Sequence, residues 1–269
     1  MRTHRFTWAH LLALLFSIAT VLPFVMVIVL AVSPPNAPTI PQQWPDSLTL
    51  QNLRTTLTAG NFLRWTWNSF LYAAVSVVII LLTASMAGYA FAKKRFPGRD
   101  LIFWSFLATL MVPVQATLIP MFVLISRLEG VDTYWGLIVP TLANSQAVFL
   151  MRQFIRDLPD ELFDAAKVDG AGEWRTFWQI VLPLTRPVLA TLGIFVFLWH
   201  WNDFLWPLVM AQTDDMRTLT VGLATLNTET VPQAQVMAGA LVTVIPCLVI
   251  FLLLQRHIVA SVASTGIKG

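Results

Sequence analysis

The sequence predicts an all-α, polytopic membrane protein with six transmembrane helices and one charged helical loop. Only 12% of its 269 residues are charged, about half of the ~25% that is usual in soluble domains. The hydrophobic fraction is 57% and the mean hydropathy is +0.69, so too little polar surface remains to cover a soluble domain of this length. This composition excludes a large soluble enzyme and an intrinsically disordered chain.

Six apolar stretches are long enough, or nearly so, to cross a membrane, which takes about 20 residues for a hydrocarbon core of about 30 Å. Five contain no Lys, Arg, Asp or Glu, and the remaining one contains only Asp203. Together they account for the chain as a single transmembrane domain, residues 1–269. The predicted spans are 8–32, 68–92, 101–126, 134–151, 187–211 and 238–254.

The distribution of basic residues predicts how the chain is oriented. If the spans alternate in direction, 13 of the 17 Lys and Arg residues lie on the same side as both termini. Cytoplasmic loops of membrane proteins carry such an excess of positive charge, so we expect a multi-pass protein with its N- and C-termini in the cytoplasm. The first apolar stretch exceeds the roughly 7–15 residues of a signal peptide, so we expect it to be retained as a helix.

The most charged segment of the chain is the loop 152–186, between the fourth and fifth predicted spans. Asp160 and Glu161 begin a helical pattern, because acidic residues stabilise the positive end of a helix dipole. Asp169 and Gly170 predict the end of that helix, because Gly readily adopts the left-handed conformation of a C-terminal cap. A second short apolar helix follows, so the loop is predicted to form a helical hairpin.

Ala165 and Ala166 leave one face of the first hairpin helix with little side-chain bulk. A partner would approach the helix backbone closely at this face, and Asp164 offers a charge to a cation. The alternative is an amphipathic hairpin that rests on the protein's own helices. The residue pattern by itself leaves both interpretations open.

The same loop resembles the EAA motif of ABC importer permeases. Residues 161–171, followed by Phe177, Ile180, Leu182 and Pro183, match the pattern EAA-x-x-DGA-x5-F-x-x-I-x-LP with its spacing. In that family the motif is a coupling helix that inserts into a cleft of the ATPase subunit. Here Asp164 stands where the family usually has Glu, which keeps the charge and shortens its reach. The resemblance implies that the following residues contact an ATPase: Glu161, Asp164, Ala165, Ala166, Asp169 and Gly170.

Other segments resemble the carbohydrate-uptake branch of that family, and in particular its maltose-permease-G-like subunits. These segments are 68–69, 87–90, 95–98, 201–203 and the C-terminal 266–269. The resemblance implies a bacterial inner-membrane permease that forms half of the translocation pathway of an ATP-driven importer, for a sugar or sugar derivative, and works by alternating access. The implied partners are a second related permease subunit in a heterodimer, two ATPase subunits, an extracytoplasmic solute-binding protein and membrane lipid. ATP and Mg²⁺ are expected on the ATPase, and no cofactor is expected on this chain.

Several polar residues fall at membrane depth, where side chains of this kind seldom face lipid. They are candidates to line a translocation path for a hydroxyl-rich solute, and they are Gln115, Asn144, Ser145, Gln146, Asn202 and Asp203. Hydrogen bonding between helices is an equally good account of the amide side chains. For Asp203 we favour a structural or gate contact near the outer side.

The sequence offers no chemistry that would make this chain an enzyme. It lacks a phosphate-binding G-x4-G-K-[S/T] loop, and its four histidines do not have the spacing of metal ligands. The single cysteine, Cys247, excludes an intrachain disulfide, and no basic run interleaved with aromatics indicates nucleic acid. The alternative function is an ion-gradient-driven secondary transporter of small polar solutes. A membrane-embedded enzyme is a third class, but no convergent nucleophile or metal set supports it.

Overall fold

A computed structural model of the chain describes residues 8–35, 45, 47–58, 60–226 and 231–266, and these residues form helices and turns with no β-strand. Arg2, Arg5 and Lys268, which support the predicted orientation, lie outside the described residues, as do the last three residues of the C-terminal segment. The α-helices are α1 Trp8–Ala31, α2 Gln51–Thr58, α3 Phe62–Lys93, α4 Arg99–Ala108, α5 Val114–Arg127, α6 Tyr134–Ile138, α7 Ser145–Arg156, α8 Asp160–Val168, α9 Glu173–Thr176, α10 Leu182–Leu184, α11 Arg186–Trp201, α12 Leu205–Met210, α13 Leu219–Leu226 and α14 Gln233–Gly266.

The chain divides into two compact units, and the first comprises residues 1–64 and 221–246. Asn52 on α2 is buried and its Nδ2 donates to the carbonyls of Ala31 at 3.1 Å and Ser33 at 2.7 Å. These bonds satisfy carbonyls at the end of α1, which have no partner within the helix. Most apolar side chains of α1 are exposed in this chain, as expected for a helix that faces lipid or another subunit.

The second unit comprises residues 65–220 and 247–269 and is built around α3. One apolar cluster joins α3 to α7 and the hairpin and includes Met151, Ile155 and Val181, all fully buried. Helices α3 and α7 touch closely at Gly88, because a β-carbon there would lie 2.7 Å from Cβ of Met151. The C-terminal half of α3 and the hairpin therefore pack together as one structure.

The predicted spans differ from the helices most clearly in the middle of the chain. Among the described residues, three helices are long and apolar enough to cross a membrane, namely His10–Ala31, Phe62–Lys93 and Gln233–Ile250, and up to five spans result if two bent helix pairs each count as one. The predicted span 101–126 is not one straight helix, because its two halves meet at an angle of 102°. Val112 and Pro113 have extended backbone at this break, and proline provides no N–H to continue the ladder.

The other two interior spans are also interrupted. Residues 134–151 are divided between α6, a 3₁₀ turn at Val139–Thr141 and α7, and no single helix there is long enough to cross the membrane. Residues 187–211 are divided between α11 and α12, and α11 is itself bent by 75° from the preceding helix, which begins at Glu173. That the chain has six transmembrane helices therefore stays a prediction.

Candidate functional site

The charged loop forms a helical hairpin, as its sequence predicts. Helix α8 ends in a Schellman motif, in which the N–H of Ala171 donates to the Ala166 carbonyl at 2.9 Å and the N–H of Gly170 donates to the Lys167 carbonyl at 3.0 Å. Gly170 has φ of +70°, and nothing lies within 4 Å of the position of a β-carbon there. The turn thus depends on the backbone freedom of this residue rather than on space.

The candidate coupling residues lie mainly on the exposed side of the hairpin. Glu161, Asp164, Ala165, Asp169 and Gly170 are exposed. By contrast, Ala166 is 5% exposed and belongs to the side of α8 that packs against the chain itself.

We expected Ala165 and Ala166 to lie together on an open face of α8. This prediction was wrong for Ala166, because only Ala165 is exposed. Ala166 lies three residues after the buried Phe163, on the same side of the helix. Asp164 accepts a hydrogen bond from Lys167 Nζ at 2.9 Å, and both side chains are 69% exposed. Such surface ion pairs contribute little to stability, so the Asp164 carboxylate is available for another cation.

Large apolar side chains extend this surface. Val168 at the end of α8 is 86% exposed, Trp174 on α9 is 65% exposed and Trp178 is 49% exposed. The sequence predicts an apolar strip on the second helix, and the structure divides it, since Phe177 and Val181 are buried. The hairpin thus presents carboxylates and uncovered apolar groups together, which is typical of a surface that meets another protein.

Lys93, the last residue of α3, holds the start of α8. Its side chain is only 9% exposed, and its Nζ donates to Asp160 Oδ1 at 2.6 Å and to the Leu158 carbonyl at 2.7 Å. The same ammonium lies 4.9 Å from the ring centroid of Phe163, within range of a cation–π interaction. The hydrogen bond from Lys93 and its positive charge lower the pKa of Asp160.

Lys94, the next residue, holds the second helix of the hairpin. It forms an ion pair with Glu173, and its Nζ lies 4.8 Å from the ring centroid of Tyr89. The Tyr89 hydroxyl donates to Glu173 Oε2 at 3.1 Å, and its ring stacks on Phe163 at 6.0 Å. Burial lowers the pKa of Lys94, but hydrogen bonds to Glu173 and Tyr89 outweigh it, so that the pKa is raised.

The role of Lys93 and Lys94 in attaching the hairpin was not predicted. In the sequence the two lysines indicate only the orientation of the chain in the membrane. A signal was present, because two consecutive lysines end an apolar stretch just before the loop 95–98, and acids begin each helix of the hairpin. However, the lysines and those acids are far apart in the chain, so no spacing pattern indicates that they pair. The pairing of Lys93 with Asp160 spans 67 positions.

The candidate path residues do not form one cluster. Asn144 is the N-cap of α7, and its Oδ1 accepts from the Ala147 N–H at 2.8 Å. Ser145 is buried, and its Oγ lies 2.8 Å from Thr109 Oγ1. Gln115 and Gln146 are exposed. The first two residues thus have structural partners, and the side chains of the two glutamines are exposed in this chain.

Asn202 and Asp203 lie at the end of α11. Asn202 is exposed and its Nδ2 donates back to the Leu198 carbonyl at 2.7 Å. The Asp203 carboxylate accepts from the Tyr72 hydroxyl at 2.9 Å, and its backbone carbonyl accepts from Thr220 Oγ1 at 2.7 Å. These contacts place Asp203 in a connection between α3 and the break after α11, and a role in a gate or in the solute path stays a prediction.

A buried polar group beside Asp203 was not predicted. His200 is 1% exposed, its Nδ1 lies 2.8 Å from the Val196 carbonyl, and its Nε2 lies 3.2 Å from Thr141 Oγ1. Its ring meets that of Tyr72 edge-on, at a centroid distance of 4.9 Å. Across the part of the chain that the structure describes, no three His, Cys, Asp or Glu residues are grouped so as to hold a metal ion.

Comparison with known proteins identifies relatives over most of the chain. Residues 80–264 match the family of binding-protein-dependent transport system inner membrane components. The arabinooligosaccharides transport system permease protein AraQ of Halalkalibacterium halodurans is 41% identical over 228 residues, which cover 84% of this chain and 81% of that protein. The sn-glycerol-3-phosphate transport system permease protein UgpE of Yersinia pestis is 41% identical over 195 residues, which cover 71% of this chain and 69% of that protein.

A similar fold occurs in a solved structure. The crystal structure of a bacterial ABC transporter involved in the import of the acidic polysaccharide alginate contains a chain that matches with a TM-score of 0.85. The match covers 92% of this chain and 94% of that one, at 22% identity. At this identity the likeness establishes the shared fold.

Proposed function

Because this chain belongs to the family of binding-protein-dependent transport system inner membrane components, we propose that it forms half of the translocation pathway of an ATP-driven importer of a sugar or sugar derivative. The observation that carries the proposal is the hairpin. Its exposed side presents Asp164, Ala165 and Gly170, while its other side is fixed to α3. Such a surface is suited to receive force from a separate protein.

The contacts support a mechanism of alternating access. Closure of two ATPase subunits around ATP would draw the exposed side of the hairpin toward the partner permease. Since Lys93 and Lys94 attach both hairpin helices to the end of α3, the displacement passes to a helix of 32 residues. Separation of the ATPases after hydrolysis would return the helix, so that the path opens alternately to each side of the membrane.

The remaining subunits follow from the same proposal. We assign a second related permease, two ATPase subunits that hold ATP and Mg²⁺, and an extracytoplasmic solute-binding protein. Both termini of this chain lie in the cytoplasm, since that orientation places the basic loops on the inner side. In this orientation the hairpin faces the ATPases.

The solute class is proposed from relatives at 41% identity, whose names specify arabinooligosaccharides and sn-glycerol-3-phosphate. Both solutes carry hydroxyl groups, to which amide side chains can donate and from which they can accept hydrogen bonds. We therefore assign Gln115 and Gln146, the two exposed glutamines of the candidate set, to the solute path. A thermal-shift screen of sugars and polyol phosphates against the cognate binding protein would identify the solute.

The function is tested with the complete transporter in liposomes loaded with ATP and Mg²⁺. Uptake of the identified solute is expected to require ATP, the binding protein and this chain, and to continue when an ionophore removes the proton and sodium gradients. Uptake that needs no ATPase and stops with the ionophore would instead establish the gradient-driven alternative. Liposomes that lack only this chain are the control for leakage.

A further inference from the structure

The corner between α3 and α4 contains a basic cavity that plays no part in the proposed coupling. The cavity has a volume of about 380 Å³ and is lined by Arg95, Phe96, Gly98, Arg99, Asp100 and Leu101. The corner is formed at Gly98, whose φ of +76° lets the chain reverse between the two helices. It therefore lies where the chain leaves the apolar helix α3 and enters the apolar helix α4.

Positive charge at this corner exceeds the available negative charge. The Arg95 side chain is exposed. Arg99 donates from Nε to Asp100 Oδ1 at 2.9 Å and from Nη1 to the Lys94 carbonyl at 3.3 Å. Asp100 is the one acidic residue in the cavity lining, so it offsets at most one of the two guanidinium groups.

More basic groups stand close behind the cavity. The guanidinium of Arg152 lies 4.0 Å from the ring centroid of Phe103, and its Nε donates to the Phe91 carbonyl at 3.4 Å. Burial lowers the pKa of Arg152, and the positive charges of Arg156 and Arg99 lower it further. Guanidinium groups that repel one another favour an anion between or beside them.

The surroundings of the cavity are apolar and uncovered. Leu101 is 74% exposed, Ile102 is 51% exposed and Trp104 is 66% exposed, all on α4 beside the charged corner. A free phosphate ion would gain nothing from these side chains, whereas a phospholipid has acyl chains to lay along them. A basic cluster beside the end of a transmembrane helix is the pattern that anionic lipids recognise.

We propose that this corner binds an anionic phospholipid, with its phosphate group in the cavity between Arg95 and Arg99 and its acyl chains along the exposed side of α4. The site rests on the placement of this chain in a membrane and is independent of which solute is carried. Arg152 and Arg156 add positive potential, and Asp100 orients Arg99.

The test measures lipid binding to the detergent-purified transporter with all its subunits, using fluorescent short-chain phosphatidylglycerol and the matching phosphatidylcholine. The double variant Arg95→Gln/Arg99→Gln is expected to weaken binding of phosphatidylglycerol by at least about fivefold, since each basic residue near an anionic membrane surface contributes roughly that factor. Arg95→Lys/Arg99→Lys keeps the charges and is expected to restore most of the binding. Arg127→Gln/Arg186→Gln removes two exposed charges elsewhere and serves as the matched control.

Two further measurements distinguish binding of the phospholipid from binding of other anions. Millimolar inorganic phosphate is expected to displace little lipid, and Leu101→Ser is expected to weaken binding of the lipid while leaving the Arg residues in place. Displacement by phosphate alone, equal binding of the two lipids, or an equal loss in the control variant would each overturn the proposal. Co-purification of the subunits shows that each variant is folded, and ATP-dependent uptake, measured separately, tests the importer itself.

Discussion

The ammonium group of Lys93 lies 2.6 Å from the carboxylate of Asp160, and this contact joins the last residue of α3 to the first residue of α8. Lys93 is nearly buried, while Asp160 is largely exposed. The lysine therefore has few alternatives to the acceptors around it, which include the carbonyls of Leu158 and Arg156. We expect the hairpin to follow α3 wherever that helix moves.

Removal of this attachment is expected to uncouple ATP hydrolysis from transport. In Lys93→Met the carbonyls at the start of the hairpin and Asp160 lose their donor, so α8 is held less firmly to α3. We expect solute imported per ATP hydrolysed to fall at least threefold, while ATPase activity persists. The ratio is measured in liposomes, with Lys93→Arg as the charge-preserving control. An unchanged ratio in Lys93→Met would show that the contact does not transmit force.

Gly170 is expected to tolerate only residues that adopt the left-handed conformation. Gly170→Val forces a β-branched residue to φ of +70°, at a cost of about 1–2 kcal/mol. Gly170→Asn is expected to cost less, because Asn visits this region more readily. Retention of the ATPase on an affinity-tagged permease measures the effect. Gly172→Val is the matched control for added bulk, since φ at Gly172 is −68° and nothing lies within 4 Å of a β-carbon there.

The contact of α3 with α7 is expected to be sensitive to a single methyl group. In Gly88→Ala the new β-carbon would lie 2.7 Å from Met151 Cβ and 2.9 Å from the backbone nitrogen of Arg152. Overpacking of this kind costs about 1–3 kcal/mol, so we expect a lower thermal unfolding midpoint. Gly193→Ala meets Leu81 Cδ1 only at 3.4 Å and is expected to be neutral or stabilising. Equal midpoints for both variants would contradict this account of the packing.

The attachment through Asp160 is expected to weaken in acid. The pKa of Asp160 is lowered from 3.8 by the hydrogen bond from Lys93. Its stabilising contribution is therefore complete above the unfolded pKa and is lost as the pH falls through the lower, folded pKa. We expect the difference in unfolding midpoint between the wild type and Asp160→Asn to be constant near about pH 6 and to shrink toward about pH 3. A difference that persists in acid would assign the effect to another group.

The two exposed glutamines offer a test of the solute path. Gln146→Ala is expected to raise KM for uptake several-fold without a change in thermal stability, because its side chain is exposed. Ser145→Ala removes the hydrogen bond to Thr109 and is expected to lower stability by about 1 kcal/mol with KM unchanged. If the two variants exchange these effects, the solute path lies on the other side of α7.

Local features of this protein are predictable from its sequence. The end of α8 at Gly170 follows from residues that are adjacent in the chain, and the exposure of Asp164 and Ala165 agrees with their pattern. The burial of Ala166 was not predicted, although its position three residues after Phe163 places both residues on the same side of α8.

Features that depend on distant residues, or on the direction of a helix, required the structure. The stretch 101–126 is apolar throughout, and hydropathy cannot register that Pro113 turns the chain through 102°. Likewise, Asp203 was predicted to make a structural or gate contact, but its partner Tyr72 lies 131 positions away and was not predicted. No periodicity in a single sequence indicates that two residues so far apart are in contact.

Lys93 is the last residue of α3 and Lys94 follows directly after it, and the two side chains contact different helices of the hairpin, α8 and α9. A single contact would act as a pivot, about which the hairpin could swivel freely. Two contacts on different helices also resist twisting, so we expect the hairpin to transmit torque to α3 along with any pull. A probe that reports rotation of α3 should therefore respond to nucleotide as strongly as one that reports its displacement.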